Sequence, residues 1–429
     1  MSIYTYKLSN YRAVKNATIK IDGITVLAGE NGSGKSTLSR FLYYIVKVLS
    51  EYEVLIDQTA KQELNQILYR MERANLLMRY DSHHISYREL REHLWDGQMT
   101  DVAANMLEVI EKFGVKIKEA VAKSEDSELL KTRLSTLFRL ELEKEQMADT
   151  DTLVDSIVSK LIAHVSEIED EAEKKKRERS IETFRDLSYR VSDNLDNGTV
   201  NLSFEEDGVE LLQEDHFNPT LNLNRVIYYR TYELMDYLDN SSEFHDYLEK
   251  PVEGKLTDEE KLVAKLLRDV LGGEAVLSED DVMPIKQLHF KRKDGLDISL
   301  KQAATGLVSF SFLQRLLENG YFKEGTLLMI DEPEAHLHPK WIVEYARMLV
   351  MLQKYLKVKI VLSTHNPDML AAIDSIARRE NCSDVTNFYF ANPDKDDAFM
   401  YNYQKLDSIE EIFDSFNMAL IRIQEYGKD

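Results

Sequence analysis

Between residues 3 and 28 apolar and polar positions alternate, with Tyr4, Tyr6 and Leu8 and then Ala17, Ile19 and Ile21 on one face. A period of two marks half-buried strands, and turns are predicted at Asn10-Tyr11-Arg12 and Asp22-Gly23. The next run, Ile24-Thr25-Val26-Leu27-Ala28, is apolar without alternation and reads as a short buried strand. From Leu38 to Val48 the spacing becomes helical, carried by Leu38, Phe41, Leu42, Ile45 and Val46. From about 50 to 195 Gly and Pro nearly vanish, charge rises and helical spacing persists. Its clearest seam is Val154, Val158, Leu161, Val165, Ile168 and Ala172, an alternation of four and three that fits a coiled-coil stripe. The seam breaks at residues 173–179 and apolar spacing resumes at Ile181, Phe184, Leu187 and Val191. Helical throughout, residues 151–194 would span about 65 Å.

Strand patterns return at 199–204, 225–229, 327–330 and 358–362. A strand pair is predicted over Ile285–Lys291 and Leu296–Leu300, around Lys293-Asp294-Gly295. Helices are expected after Leu307 and from Lys340 to Leu356, and residues 236–260 read as the most loop-like stretch. The order is that of an α/β fold, a head at 1–50 and 197–429 interrupted by an inserted helical arm at 51–196.

Chemistry enters between the buried strand and the first helix. Gly29-Glu30-Asn31-Gly32-Ser33-Gly34-Lys35-Ser36-Thr37 satisfies the P-loop pattern G-x-x-x-x-G-K-[ST] in the strand–loop–helix setting the motif requires. The glycines let successive backbone N–H groups curl around phosphate oxygens at a helix N-terminus. Lys35 reaches the outer phosphates and Ser36 ligates magnesium. Gly29, Asn31, Gly32, Ser33, Gly34, Lys35, Ser36 and Thr37 are therefore the primary candidates for ATP and Mg2+ binding, with Arg12 in the first turn as a further one.

The apolar run Leu327–Ile330 ends in Asp331 and Glu332, at the strand end where ligands of open α/β sheets collect. Asp331 fits the second magnesium ligand and Glu332 the group that orients or deprotonates an attacking water. The strand at 358–362 ends at Ser363-Thr364-His365-Asn366-Pro367, which places His365 at a neighbouring strand end where it can meet a γ-phosphate. Upstream, Thr305 is a candidate N-cap of a helix whose exposed N–H groups form a second anion-binding end, with Gly306 beside it. His336 and His338 form an alternative metal pair without an evident third ligand.

The charge balance of Lys+Arg 54 against Asp+Glu 76, a net −22, argues against a uniformly basic nucleic-acid binder. Local basic patches remain, at Lys174–Arg179, at Lys291-Arg292-Lys293, and at Arg70, Arg73, Arg79, Arg88 and Arg91 interleaved with Tyr69, Tyr80 and Tyr87. Each reads either as a phosphate contact or as a solvated face. Cys382 is the sole cysteine, so disulfides within the chain and Cys-rich zinc sites are excluded. The segment Met1–Lys7 lacks the blocks of a signal peptide and no run approaches a membrane span, so the cytoplasm is the expected compartment and no membrane partner is expected.

The order of P-loop, helical insertion, Ala303-Ala304-Thr305-Gly306 helix, Ile330-Asp331-Glu332-Pro333-Glu334-Ala335-His336-Leu337-His338-Pro339 and Ser363-Thr364-His365-Asn366-Pro367 resembles the ABC-type ATPases of the RecF and OLD (overcoming lysogenization defect) group. It looks most like the stand-alone ATPases of bacterial anti-phage systems, such as the Septu ATPase that works with a separate HNH nuclease. The resemblance covers residues 1–50 and about 197–429. It implies an ABC-type head with an N-terminal antiparallel β-subdomain. It makes Asp331 and Glu332 the Walker B pair and catalytic glutamate, residues 334–339 the D-loop region and His365 the switch histidine. Thr305 and Gly306 fall at the signature, which in that family completes the site of the opposite protomer. The expected behaviour is an ATPase closing as a homodimer or higher oligomer around nucleotide, with a separate effector, a nuclease, as partner.

The signature is reduced to Ala304-Thr305-Gly306-Leu307, and Arg230-Thr231 stands where a Q-loop glutamine is expected. No Cys-x-x-Cys marks an arm tip, and the stretch after His365 is too short for a TOPRIM nuclease, so any nuclease is expected on another chain. The alternative is a RecF-like ATPase of repair or recombination that contacts DNA itself; a transporter subunit fits the helical insertion less well.

Overall fold

The computed structural model describes residues 2–78, 99–141, 143, 146, 149–191, 201–234, 247–252, 254–279 and 286–413. The chain divides into two compact units, one of residues 1–50 with 188–429, the other of residues 51–187.

The first unit is built on a ten-stranded sheet. Its strands are β1 (Tyr4–Tyr11), β2 (Val14–Ile21), β3 (Ile24–Ala28), β4 (Asn201–Glu206), β5 (Val209–Glu210), β6 (Arg225–Arg230), β10 (Thr326–Asp331), β11 (Lys359–Thr364), β12 (Thr386–Pro393) and β13 (Tyr401–Leu406). Their order is β5-β4-β1-β2-β13-β12-β3-β11-β10-β6. The end formed by β5, β4, β1 and β2 is antiparallel, whereas β12, β3, β11, β10 and β6 run parallel. The fold is thus the expected α/β one, with its antiparallel N-terminal section. Every residue of β3, β10 and β11 is buried. Strands covered on both faces carry continuous apolar runs, and this is why their sequences lack alternation.

Helix α1 (Lys35–Met78) leaves the P-loop, and its backbone departs from helical geometry at Glu51, where the second unit begins. Helices α6 (Asp258–Leu271), α7 (Thr305–Glu318), α8 (Pro339–Leu356) and α9 (Pro367–Arg379) belong to the first unit. Phe310 of α7 sits between Trp341 and Tyr345 of α8, with ring centroids 4.9 and 5.1 Å away and edge-on packing. The end of the stretch read as loop starts α6, fixed by a capping box between Thr257 and Glu260; residues 235–246 lie outside the described residues. A three-stranded antiparallel sheet joins β7 (Gly273–Glu279), β8 (Lys286–Arg292) and β9 (Asp297–Ser299). β8 and β9 form the anticipated pair; β7, rich in polar residues, had no strand pattern to reveal it.

The second unit contains the rest of α1, α2 (Met99–Lys123), α3 (Ser127–Leu137), α4 (Thr150–Glu178) and the start of α5 (Ile181–Val191). Residues 151–194 are not one helix. Arg179 adopts a left-handed conformation and caps α4, donating its N–H to the Lys175 carbonyl. The 29 residues of α4 span about 44 Å, and residues 192–194 lie outside the described residues. The seam is broader than a stripe of six, because Leu153 and Ile157 are buried with it while Val158 is only half-buried. Among the described residues no helix is long and apolar enough to cross a membrane.

Candidate functional site

Three adjacent parallel strands end side by side. β11 pairs with β3 on one side and β10 on the other, in registers that set Thr364 beside Ala28 and Ser363 beside Asp331. The P-loop leaves β3, Glu332 follows β10 and His365 follows β11. Residues separated by some three hundred positions in the chain therefore share one sheet end, as such strand ends do in ligand-binding α/β folds.

The P-loop is shaped for close approach to a ligand. Gly32 and Gly34 have φ of 85° and 93°, a region other residues enter at a cost. A Cβ on Gly34 would lie 3.0 Å from Val14 Cγ2 and 3.4 Å from Ala13 Cβ, so the turn between β1 and β2 is seated against the loop. Arg12 belongs to that turn, exposed and with its guanidinium over the Tyr11 ring. Lys35 is buried and folds back, donating to the carbonyl oxygens of Gly29 and Glu30 at 2.8 Å each. Burial lowers its pKa, opposed by the nearby Glu332, Glu334, Asp331 and Glu30 carboxylates. Ser33 Oγ is buried without a hydrogen-bond partner, and buried hydroxyls are ordinarily bonded. An unsatisfied hydroxyl, glycines at positive φ and a lysine at one end fit a phosphate group.

Asp331 is 1% exposed and both its oxygens accept hydrogen bonds, Oδ1 from Ser363 Oγ at 2.5 Å and Oδ2 from the Tyr228 hydroxyl at 2.8 Å. Burial, then the neighbouring Asp331 charge, drives the Tyr228 pKa far up, so the phenol keeps its proton and donates. Each carboxylate oxygen retains a second lone pair. One carboxylate and a P-loop hydroxyl suit magnesium, which keeps several waters and takes its other ligands from phosphates. Asp331 and Ser36 are residues of that type.

Glu332 is a non-glycine residue at φ 52°, a conformation that costs on the order of 1–3 kcal/mol and collects at functional positions. It is held by its N–H on the Ser363 carbonyl at 2.9 Å and by its own carbonyl, which accepts from Ala335 N at 3.0 Å. His365 Nδ1 lies 3.6 Å from Glu332 Oε1 and 3.7 Å from Glu334 Oε1. Glu334 is buried, and its Oε1 accepts from Thr364 Oγ1 at 2.6 Å and from the His365 amide at 3.2 Å.

Thr305 does not cap its helix. Ala304 occupies the N-cap position without a side-chain bond, Thr305 is the first residue of α7, and extended backbone at Ala304 already turns the chain into the helix. A Cβ on Gly306 would come within 2.9 Å of Leu337 Cδ2, in the turn after β10. His338 is the N-cap of α8, its Nδ1 accepting from Lys340 N at 3.3 Å. Among the described residues no cluster of three His, Cys, Asp or Glu side chains is placed to hold a metal ion, so the His336/His338 alternative gains no third ligand.

Four cations of the basic run are ion-paired within the chain, and Arg177 donates to the Glu173 carbonyl. Lys174 faces Glu178, Lys175 Glu171, Lys176 both Asp57 and Glu173, and Arg179 Glu53. Lys291, Arg292 and Lys293 face Asp297, Asp294 and Asp269. Arg70 and Arg73 lie on α1, and Arg79, Arg88, Arg91, Tyr80 and Tyr87 lie outside the described residues. Arg230, at the position expected for a Q-loop residue, pairs with Glu233. Sequence reading missed Tyr228, Ser363 and Glu334 as orienting groups. The strand-end pairing of β10 with β11 could have pointed to Ser363, but nothing local links Tyr228 to Asp331.

The chain is similar to the Smc head domain with an extended coiled coil, bound to the C-terminal domain of ScpA, from Pyrococcus furiosus, at 13% identity and a TM-score of 0.37 over 98% of this chain and 100% of that one. It is also similar to the SMC head domain from Thermotoga maritima, at 11% identity and a TM-score of 0.37 over 95% of this chain and 100% of that one. Residues 1–370, which contain the P-loop, Asp331, Glu332 and His365, match the AAA ATPase domain, and the chain belongs to that ATPase family.

Proposed function

We propose that this chain binds ATP with magnesium, hydrolyses it, and does so as half of a site that a second copy completes. The single observation that carries the reading is the convergence of the P-loop, Asp331, Glu332 and His365 on three neighbouring strand ends. Lys35 and the N–H groups of Gly32 to Thr37 would hold the phosphates, and Ser36 and Asp331 the metal. A magnesium ion held there would supply neutralisation of the phosphate charge. Glu332 takes the proton of the attacking water, held at the strand end by its left-handed backbone. His365, flanked by Glu332 and Glu334, would contact the γ-phosphate at the same strand end. Thr305 and Gly306, at the start of α7, would contribute to the site of the second copy, with Gly306 packed on Leu337 in the turn after β10.

The test is light scattering with Mg–ATP. Parent protein and Glu332→Gln are both expected to bind ATP, and Glu332→Gln to accumulate as a dimer or larger assembly that the parent leaves on hydrolysis. A Glu332→Gln variant that hydrolyses at the parent rate overturns the assignment of the base, and one that binds ATP but stays monomeric overturns the shared site.

We read the output as belonging to a separate effector, a nuclease of an anti-phage system. The motif order supports this, as do the ion pairs that Lys175, Lys176 and Arg292 of the described basic clusters make within the chain. Neighbouring genes encoding an HNH nuclease would support it, and a repair operon would favour the RecF-like alternative. Tight, salt-dependent DNA binding by the chain alone, stimulated by ATP, would also favour that alternative.

A further inference from the structure

Tyr228 stands on β6, about a hundred positions before the strand whose carboxylate it touches, and no motif contains it. Its hydroxyl donates to Asp331 Oδ2 at 2.8 Å, while Ser363 Oγ donates to Oδ1 at 2.5 Å. The two donors come from the strands on either side of β10 and fix the carboxylate plane from both flanks. The Tyr228 ring also lies 5.3 Å from the ring of Tyr43, tilted by 31°. Tyr43 is seven residues beyond Ser36 in α1. Positions i and i+7 share a helix face, and so does i+4, occupied here by Arg40. Arg40 adds a polar element, since its Nε is buried and without a hydrogen-bond partner. One side chain therefore touches both Asp331 and the helix face that carries Ser36.

We infer that Tyr228 is a positioning residue for the divalent metal: its hydroxyl orients Asp331 and its ring braces the helix that carries Ser36. The inference rests on the reading above of Asp331 and Ser36 as metal ligands. A carboxylate so buried has two ways to present its free lone pairs, and a donor on each oxygen selects one. Groups that orient a ligand in this way typically contribute 10- to 100-fold in metal affinity. Tyr228 also stands two residues before Arg230-Thr231, where the expected glutamine is missing, and supplies from within the strand an orienting contact to the metal-binding aspartate.

The experiment is a Mn2+ titration followed by electron paramagnetic resonance, on the full chain with a non-hydrolysable ATP analogue. Tyr228→Phe removes only the hydroxyl, and its fold is checked by the thermal melt. The expected result is a Kd for Mn2+ raised about 10-fold or more, with affinity for the analogue in EDTA within about twofold of the parent. Hydrolysis by Tyr228→Phe is expected to recover to the parent rate at saturating Mg2+, which a general loss of structure would not allow. Should Tyr228→Phe not fold, Tyr43→Leu, which removes the ring that meets Tyr228 and leaves the Tyr228 hydroxyl in place, is expected to weaken Mn2+ binding in the same assay with the EDTA affinity retained. An unchanged Mn2+ affinity in the folded variant overturns the inference while the proposed function stands. A parent protein that binds analogue but no Mn2+, or neither, overturns the ligand assignment itself, and the inference with it.

Discussion

Glu334 accepts the hydroxyl of Thr364 at 2.6 Å, and the same oxygen accepts the amide of His365 at 3.2 Å. The turn after β10 is thereby tied to the end of β11 at the residue before His365. Its other oxygen, Oε2, is buried with no hydrogen-bond partner. Burial raises the Glu334 pKa, and the bonds from Thr364 and the His365 region only partly oppose this.

This predicts a pH dependence with a definite sign. For a carboxyl whose folded pKa lies above its unfolded value, the contribution to stability is complete below the unfolded pKa and is lost as pH rises through the folded one. Glu334→Gln keeps an acceptor for Thr364 and cannot ionise. Urea denaturation of parent and Glu334→Gln at pH 4.5 and pH 8 is expected to show the variant gaining on the parent at the higher pH. Equal pH slopes for the two proteins would refute the assignment.

Gly34→Ala is expected to lose stability and nucleotide binding together. The backbone at φ 93° is unfavourable for alanine, and the new methyl would press on Val14 Cγ2 at 3.0 Å. Such positions cost on the order of 1–3 kcal/mol, measurable as a lowered urea midpoint without nucleotide. Gly32→Ala is the informative comparison, since its φ of 85° imposes the same backbone penalty but no atom lies within 4 Å of its Cβ. A larger loss at Gly34 than at Gly32 isolates the contact with the β1–β2 turn. Equal losses would show that contact to be energetically idle.

Lys35→Ala separates binding from folding. Two of the three ammonium N–H groups hold loop carbonyls, and these are local contacts. Unfolding free energy without nucleotide is expected to change by about 1 kcal/mol or less, since removing a desolvated cation offsets the lost bonds. ATP affinity, read by calorimetry, is expected to fall about 100-fold or more, as follows from losing charge-assisted bonds worth about 3 kcal/mol. Retained affinity would remove Lys35 from the phosphate site.

The parts of the site legible in the sequence were those confined to one turn or one strand end. Gly29 to Thr37 and Asp331-Glu332 announce their chemistry through adjacent residues, and a buried run such as Leu327–Ile330 announces its strand through period and length. The partners of Asp331 were not legible because Tyr228 and Ser363 reach it only through sheet order, which no local period encodes. The Thr305 cap failed for a different reason. Threonine is a good capping residue, yet the extended backbone at Ala304 starts the helix one position earlier, and propensity yields to where the chain turns. In α4 the heptad reading found Val154, Leu161, Val165, Ile168 and Ala172 but missed Leu153 and Ile157, because both α2 and α3 pack on α4 and bury a face wider than a two-helix seam.

One position in the helical unit tests that packing directly. Gly114 lies inside α2, where glycine is about 1 kcal/mol worse than alanine by intrinsic propensity, so an isolated helix would gain from Gly114→Ala. In the folded unit the new Cβ would sit 2.7 Å from Val158 Cγ2 and 3.5 Å from Val154 Cγ1, on α4. Valine is stiff at χ1 and cannot swing its methyl aside without leaving its preferred rotamer, and overpacking of this kind costs about 1–3 kcal/mol. The clash outweighs the propensity gain, so Gly114→Ala is expected to destabilise the protein. Shortening Val158 to alanine removes the offending methyl, so the double variant Gly114→Ala/Val158→Ala is expected to be more stable than the sum of the two single changes implies. A double-mutant cycle in urea measures the coupling, expected at about 0.5–3 kcal/mol for residues in contact. A cycle that closes at zero, with Gly114→Ala stabilising, would show that α2 and α4 do not meet at this point.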